Sequence, residues 1–516
     1  MLQWLVPLVP LPYFLASAAV AIGMLNGRIH GEAGETVTSR LVVGAGVISF
    51  LLAGCAGLLR AFGLIPSHIV LGIWLESGDY RIEASFLSDG LSLGLALLFA
   101  LLSWMTLRFS VNYMHRESGF HRFFLVMSLF AAAMLWLVLA GNAAFTFIGW
   151  ELAGVCSYLL IAYLYQRPIP AANATRAFVT NRVGDAGFML GIFVAYTWTG
   201  GIEWPELLAK GARLEPLATG ALAACFLLAA VAKSAQLPLS PWLARAMEGP
   251  TPSSAIFYGA VMVHAGVYLV LRLEPVFTQS PGVMALLAGI GFLTAVYGYA
   301  CGLVQTDVKS ALIFSTTAQV GLMFLECGLG WWQMGAWHLA THAVMRAYQF
   351  LSAPSLMHSV LGLPPRPISP FLACRPGLHV AALQRFWLED CADALLVRPI
   401  QGYASDLDTF DHRVVDPLVG LSAPTMRELS SLAEWEESRL GGGDGRPQAR
   451  GLLGHLIHSV ADLLYWFEQR LVLEGVGRNL FLSGRRLGAR LNLIEAALGN
   501  PRYPTLLVLL TLIAYL

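Results

Sequence analysis

The feature that most limits what this chain can become is a succession of apolar runs, each close to the length that crosses a bilayer. About 20 apolar residues in a helix span the hydrocarbon core. Such runs fall at about 3–25, 40–64, 89–109, 122–140, 143–165, 175–198, 217–247, 253–273, 281–304, 308–328 and 332–358, about eleven in all. Only 12% of the residues are charged, against about 25% in soluble domains. The reading is an all-α polytopic membrane protein. The N-terminal run lacks a basic flank and a small-residue cleavage site, so it reads as a retained first span. Between the second and third runs, LGIWLESGDYRIEASFLSDG alternates apolar and polar residues around SGD and predicts a β-hairpin.

After His358 the composition changes. PPRPISPFLACRPG is too rich in proline to span, and residues 380–500 mix Leu, Val and Trp with Arg, Asp and Glu. The expected domains are a bundle at 1–358, a connecting segment at 359–450, an amphipathic lateral helix region at 451–500 and a short anchor at 501–516. Side chains such as Trp387, Leu395, Leu396 and Val397 need cover from membrane or protein. Arg28, Arg40, Arg108, Arg116, Arg122, Arg167 and Arg245 fall in one set of loops, and Arg81, Lys210 and Arg213 in the other. The positive-inside rule then puts the N-terminus outside and residues 359–500 in the cytoplasm of a bacterial cell.

A charge inside such a run is expensive unless something uses it, roughly 2.5–3.5 kcal/mol for a lysine on insertion scales. Lys233 lies in ACFLLAAVAKSAQLPLSPWL, and Pro238 just beyond it predicts a helix break beside the ammonium. Glu151, deep in FTFIGWELAGVCSYLLI, supplies the opposite charge for a switchable ion pair. Arg176 opens the sixth span, where Arg182 and Asp185 sit three apart and can pair on one helix face. A structural salt bridge near the span entrance is the alternative there. His338, His342 and Arg346 recur every fourth residue in the eleventh span. That stripe suits a hydrated proton path, since imidazole exchanges protons near neutral pH. HxxxH also suits zinc, but no third ligand is apparent, and plain structural hydrogen bonding would serve too. His264 stands alone on an apolar helix, the usual setting of a satisfied core residue. Asp307 and Lys309 can cap a span or snorkel.

The seven cysteines form no CxxC pair, and there is neither GxxxxGK[ST] nor a GxGxxG after a strand. No catalytic centre, cofactor or metal is therefore assigned to the chain itself. With net charge zero, nothing points to nucleic acid.

GWELAGVCSYLLI, AFVTNRVGDAGF, AKSAQLPLSPWLARAMEGPTPSSAI, QTDVKSALIFSTTAQVGLMFL and HLATHAVMRAYQFLSA occur in this order. They resemble the antiporter-like subunits of respiratory complex I (NuoL), of Mrp cation/proton antiporters, and of DAB inorganic-carbon uptake systems (DabB). The resemblance implies a proton-translocating bundle with a broken seventh helix, in which Glu151 and Lys233 stand for the family's glutamate and lysine. It implies a proton pathway through Glu151, Lys233, Arg176, Arg182, Asp185, His264, His338, His342 and Arg346. There are departures. Tyr258 stands where the family usually has a histidine, Arg346 replaces a lysine, and the spans with a second broken helix are missing. A guanidinium keeps its proton and is a poor carrier. These departures favour a subunit completed by others. One expectation is DAB-type CO2 or bicarbonate uptake with a cytoplasmic, zinc-containing DabA-like partner. The alternative is a proton-pumping subunit among other complex I-type or Mrp-type membrane subunits. A third reading, from another class, is a scaffold that keeps the fold without the pathway.

Overall fold

A computed structural model describes residues 2–77, 80–359, 374–415 and Ser459. Eight helices are long and apolar enough to cross a membrane, and a ninth span results if Leu2–Leu8 and Leu11–Leu25, bent by 45°, count as one. Two further long helices, α7 (Pro168–Thr199) and α16 (Trp332–Ser359), carry Arg176, Arg182, Asp185 and His338, His342, Arg346. Each expected run thus has its helix, and the chain is an all-α polytopic membrane protein.

Two helices begin earlier than hydropathy predicts. The second span starts at Gly31. Its first turns hold Glu32 and Glu35, whose charges are met by Arg116 at 2.8 Å and His115 at 2.7 Å. The sixth starts at Pro168, where a missing N–H costs nothing in a helix's first turn. Arg182 and Asp185 consequently lie deep in that helix. They are not at its entrance.

The hairpin forms as expected: β1 (His68–Ser77) pairs antiparallel with β2 (Tyr80–Leu87). Its inner face rests on the corner between α5 (Phe120–Leu139) and α6 (Ala143–Ile161). There Phe86 packs edge-on to Trp136 at 5.3 Å, and a bridge joins Phe86 to Ala140. Successive helices alternate direction from this hairpin end. α4 (Gly90–Tyr113) leaves it, and α7, which ends at Thr199, returns to it. Asp307 caps α15 (Val308–Gly328) by accepting from Ser310 N at 2.8 Å, the expected entrance role.

The chain divides into two compact units, Met1–Val397 and Arg398–Leu516. Residues 374–397 therefore pack with the bundle. Val397 is buried, whereas Trp387 and Leu395 stay exposed. In the second unit the structure describes a helix at Arg398–Phe410 and a π-turn at Asp411–Val415. Apart from Ser459, the expected lateral helix region and terminal anchor lie outside the described residues.

Candidate functional site

Lys233 is the last residue of α9 (Pro216–Lys233). The helix stops there through a Schellman-type cap: Gln236 N donates to Val231 O at 2.8 Å and Ala235 N to Ala232 O at 3.2 Å. Ala235 takes the left-handed conformation, φ 51°, that this cap requires. The Trp242 indole donates to the same Ala232 O at 3.1 Å, giving that carbonyl of the helix end a second donor. The break therefore begins at Ser234, ahead of Pro238, which lies within the unwound stretch before α10 (Pro241–Arg245). An ammonium at a helix C-terminus faces the negative end of the peptide dipoles.

Lys233 is 1% exposed. Its Nζ donates to Trp150 O at 3.0 Å and sits 4.9 Å from the Trp150 ring centroid. The same indole donates to Asp185 Oδ1 at 2.8 Å. Arg182 bridges two carboxylates, Glu151 Oε2 at 2.5 Å and Asp185 Oδ2 at 2.7 Å. Glu151 is thus paired with Arg182. In place of the expected Glu151–Lys233 pair, Arg182 takes both acids and Lys233 holds the Trp150 carbonyl. Gly154 lies between the cations: a Cβ there would sit 3.4 Å from Lys233 Nζ and 3.5 Å from Arg182 Nη2. A cavity of about 10 Å³, enough for one water molecule, opens beside Arg182 against Ser157, Asn181 and Met262.

The second polar group spans three helices. His264 opens α12 (His264–Arg272), and the turn Val261–Val263 separates it from a π-turn at Ala255–Ala260. It is not alone: its Nε2 lies 2.9 Å from His342 Nδ1. Arg346 Nε donates to His342 Nε2 at 3.1 Å, and Arg346 Nη2 to Ser315 Oγ at 2.5 Å. Toward the hairpin end, His338 meets Glu326 at 2.9 Å and Gln319 at 2.9 Å. His338 and His342 turn to different partners, and among the described residues no three His, Cys, Asp or Glu side chains are grouped to hold a metal. Tyr258 is buried in the π-turn, 6.2 Å from the Trp242 ring.

The two groups meet where the seventh helix breaks. Ser234, next to Lys233, donates to the carbonyl of Val263, next to His264, at 2.6 Å. Arg176 stands apart. Its guanidinium forks onto Asp393 at 2.6 and 2.5 Å. Glu326, Gln319, Ser315 and the Trp150 carbonyl join the site only through the fold. Glu326 was findable, because it interrupts the apolar run VGLMFLEC as Glu151 interrupts its own.

The family described as "NADH:quinone oxidoreductase/Mrp antiporter, TM" matches residues 140–362, and "NADH-Ubiquinone oxidoreductase (complex I), chain 5 N-terminus" matches residues 74–124. The chain belongs to the antiporter-like subunit family of complex I. Among its relatives is the chloroplastic NAD(P)H-quinone oxidoreductase subunit 5 of Nephroselmis olivacea, 38% identical over 69% of this chain and 55% of the relative. NAD(P)H-quinone oxidoreductase chain 5 of Synechocystis is 37% identical over 70% and 54%. The chain thus spans about half the length of the curated relatives it matches. A chain in the solved Mrp complex from Dietzia superposes with TM-score 0.60 at 26% identity, covering 72% of this chain and 40% of that one. An archaeal membrane-bound sulfane sulfur reductase chain, at 20% identity and TM-score 0.58, covers 68% of this chain and 56% of its own and shares the fold.

Proposed function

We propose that this chain is a proton-translocating, energy-coupling subunit of a multi-subunit membrane complex of the complex I or Mrp type, seated in a bacterial inner membrane. The observation that carries the reading is the junction at the broken helix. Lys233, at the helix end, is one residue from Ser234, whose hydroxyl ties it to the backbone beside His264. A lysine can load and release a proton there, while Arg182 stays charged and holds Glu151 and Asp185 in place. His264, His342 and His338 continue the line of exchangeable groups through α16.

The named relatives are oxidoreductase and Mrp components, and this favours the alternative over DAB-type inorganic-carbon uptake. None of them supports a DabA-like zinc partner. The expected orientation, N-terminus outside and residues 359–500 cytoplasmic, stays part of the proposal.

The test is proton flux in membrane vesicles carrying the native complex. Glu151→Gln and Lys233→Ala should each abolish flux with the protein still inserted. Lys233→Arg should fail too, because the relay needs a cation that can lose its proton. Normal flux in Glu151→Gln and Lys233→Ala would leave the scaffold reading. Co-purification from native membranes, with the partners identified by mass, separates an oxidoreductase or Mrp assembly from a carbon-uptake one.

A further inference from the structure

Residues 374–397 fold back on the end of the bundle opposite the hairpin. A helix at Pro376–Leu383 is followed by a turn and a second helix, Leu388–Ala392. At the turn Arg385, Phe386 and Trp387 hold φ values of 50°, 56° and 54°. Left-handed backbone costs a non-glycine residue roughly 1–2 kcal/mol. Three in succession persist only where surrounding contacts over-determine them.

Those contacts are specific. Glu389 accepts from Arg245 Nε at 2.9 Å and Nη2 at 2.5 Å, and it also takes Arg385. Asp393 accepts both arms of the Arg176 fork. The Arg385 guanidinium lies 5.4 Å over the Phe314 ring, and Phe386 is 6.0 Å from Tyr297. Forked Arg–carboxylate pairs fix geometry as well as charge.

The two arginines held are the two whose positions bear on the site. Arg245 ends α10, the half-helix beyond the break at Lys233. Arg176 lies on the same helix as Arg182, about two turns away. Asn173, which supports Arg176 at 3.0 Å, also binds Glu248 in the turn after α10 at 3.1 Å. One strained segment therefore clasps the far half of the broken helix to the helix that carries Arg182.

We propose that residues 385–397 are a clasp that sets the distance between Lys233 and the Arg182 carboxylate pair, with Glu389 and Asp393 as its positioning residues. This rests on the proton-translocation reading, since neither acid touches Lys233 or Glu151. They act through Arg245 and Arg176.

The test uses the full chain in its native complex and two readouts. Flux against pH is measured for Glu389→Gln, Asp393→Asn, Glu389→Arg and the exchange pair Glu389→Arg with Arg245→Glu. A thiol introduced by Leu237→Cys, in the unwound stretch, reports local opening through its rate of alkylation, read by peptide mass. Each single variant should cut flux about tenfold, displace its pH profile, and speed alkylation about fivefold. The exchange pair should recover most of both. Alkylation unchanged in the single variants overturns the clasp, as does faster alkylation with flux and pH profile unaltered. Absence of flux from the unaltered complex would sink the translocation reading instead, leaving alkylation to decide the clasp.

Discussion

Arg346 Nε donates to His342 Nε2 at 3.1 Å, and that bond determines the state of a second histidine. A guanidinium has only donors, so His342 Nε2 must carry its lone pair. Neutral His342 is then the Nδ1–H tautomer, and it donates to His264 Nε2 at 2.9 Å. A proton arriving at His342 Nε2 has to displace Arg346. Arg346 thus fixes which nitrogen of the neighbouring histidine carries the proton.

The first prediction follows from that tautomer. Nitrogen-15 spectra of histidine-labelled protein should show His342 protonated at Nδ1, and Arg346→Leu should release it to a tautomer mixture. His264→Phe would strand the His342 N–H in a buried site, at about 1–3 kcal/mol, and lower the thermal midpoint. A His342 signal protonated at Nε2 in the unaltered protein would remove the arrangement.

A second prediction concerns acid. Asp89 caps α4 and takes Arg272 Nη1 at 2.5 Å and Nη2 at 3.1 Å. Burial alone would raise the Asp89 carboxyl, but Arg272 and Ser92 hold it below the usual carboxylate range. A carboxylate lowered on folding stabilises above its unfolded value of about 3.9 and loses that stabilisation as pH falls through the lowered folded value. Asp89→Asn should therefore be less stable than the unaltered chain at pH about 7, by about 1–3 kcal/mol. The gap should close on acidification below about pH 4. Thermal midpoints of both proteins across pH, in one detergent, check it. A gap independent of pH would sink the assignment.

Much of this fold was legible because membrane spanning rewards a signal that a sequence carries openly: long apolar runs and the few charges inside them. Lys233, Glu151, Arg182 and Asp185 stood out for that reason, and they come together in the fold. What stayed hidden depends on contacts between segments far apart in the chain. His264 looked solitary because its partner, His342, lies on another helix. The sequence places Arg176 at a span entrance but not its partner Asp393, a residue in a stretch too polar to be placed by hydropathy. Ser234 gave no signal at all, since a serine beside a lysine is unremarkable until Val263 is seen across from it. The true end of α9 was obscured by Pro238, the more conspicuous breaker, while the cap at Ala235 uses alanine where glycine would have signalled it.

A third prediction isolates that cap. Trp242→Phe keeps an aromatic ring but removes one of the two N–H groups that Ala232 O accepts, leaving the bond from Ala235. Losing that buried hydrogen bond should cost about 0.5–1.5 kcal/mol and loosen the residues next to Lys233. Both effects are measurable, as a lower thermal midpoint and as faster amide exchange at residues 234–237. Unchanged exchange there would mean that the cap at Gln236 holds the break unaided.

The last prediction tests whether the junction at the break depends on close packing of α12 on α9. Gly266 faces Ser234 Oγ and Ala230 O so closely that a Cβ would strike both, one of them backbone. Ser234 would have to leave Val263, and α12 would have to move off α9. Gly266→Ala should therefore destabilise by about 1–3 kcal/mol through overpacking and cut flux, although alanine introduces no charge and removes no titratable group. Gly289, on α14 (Pro281–Gly302), is the matched control. A Cβ there meets nothing within 4 Å. Alanine in an open helical site is favoured over glycine by about 0.5–1 kcal/mol. Gly289→Ala should raise the thermal midpoint slightly and leave flux intact. If the two alanines behave alike, the contact between Ser234 and Val263 is not what joins Lys233 to His264.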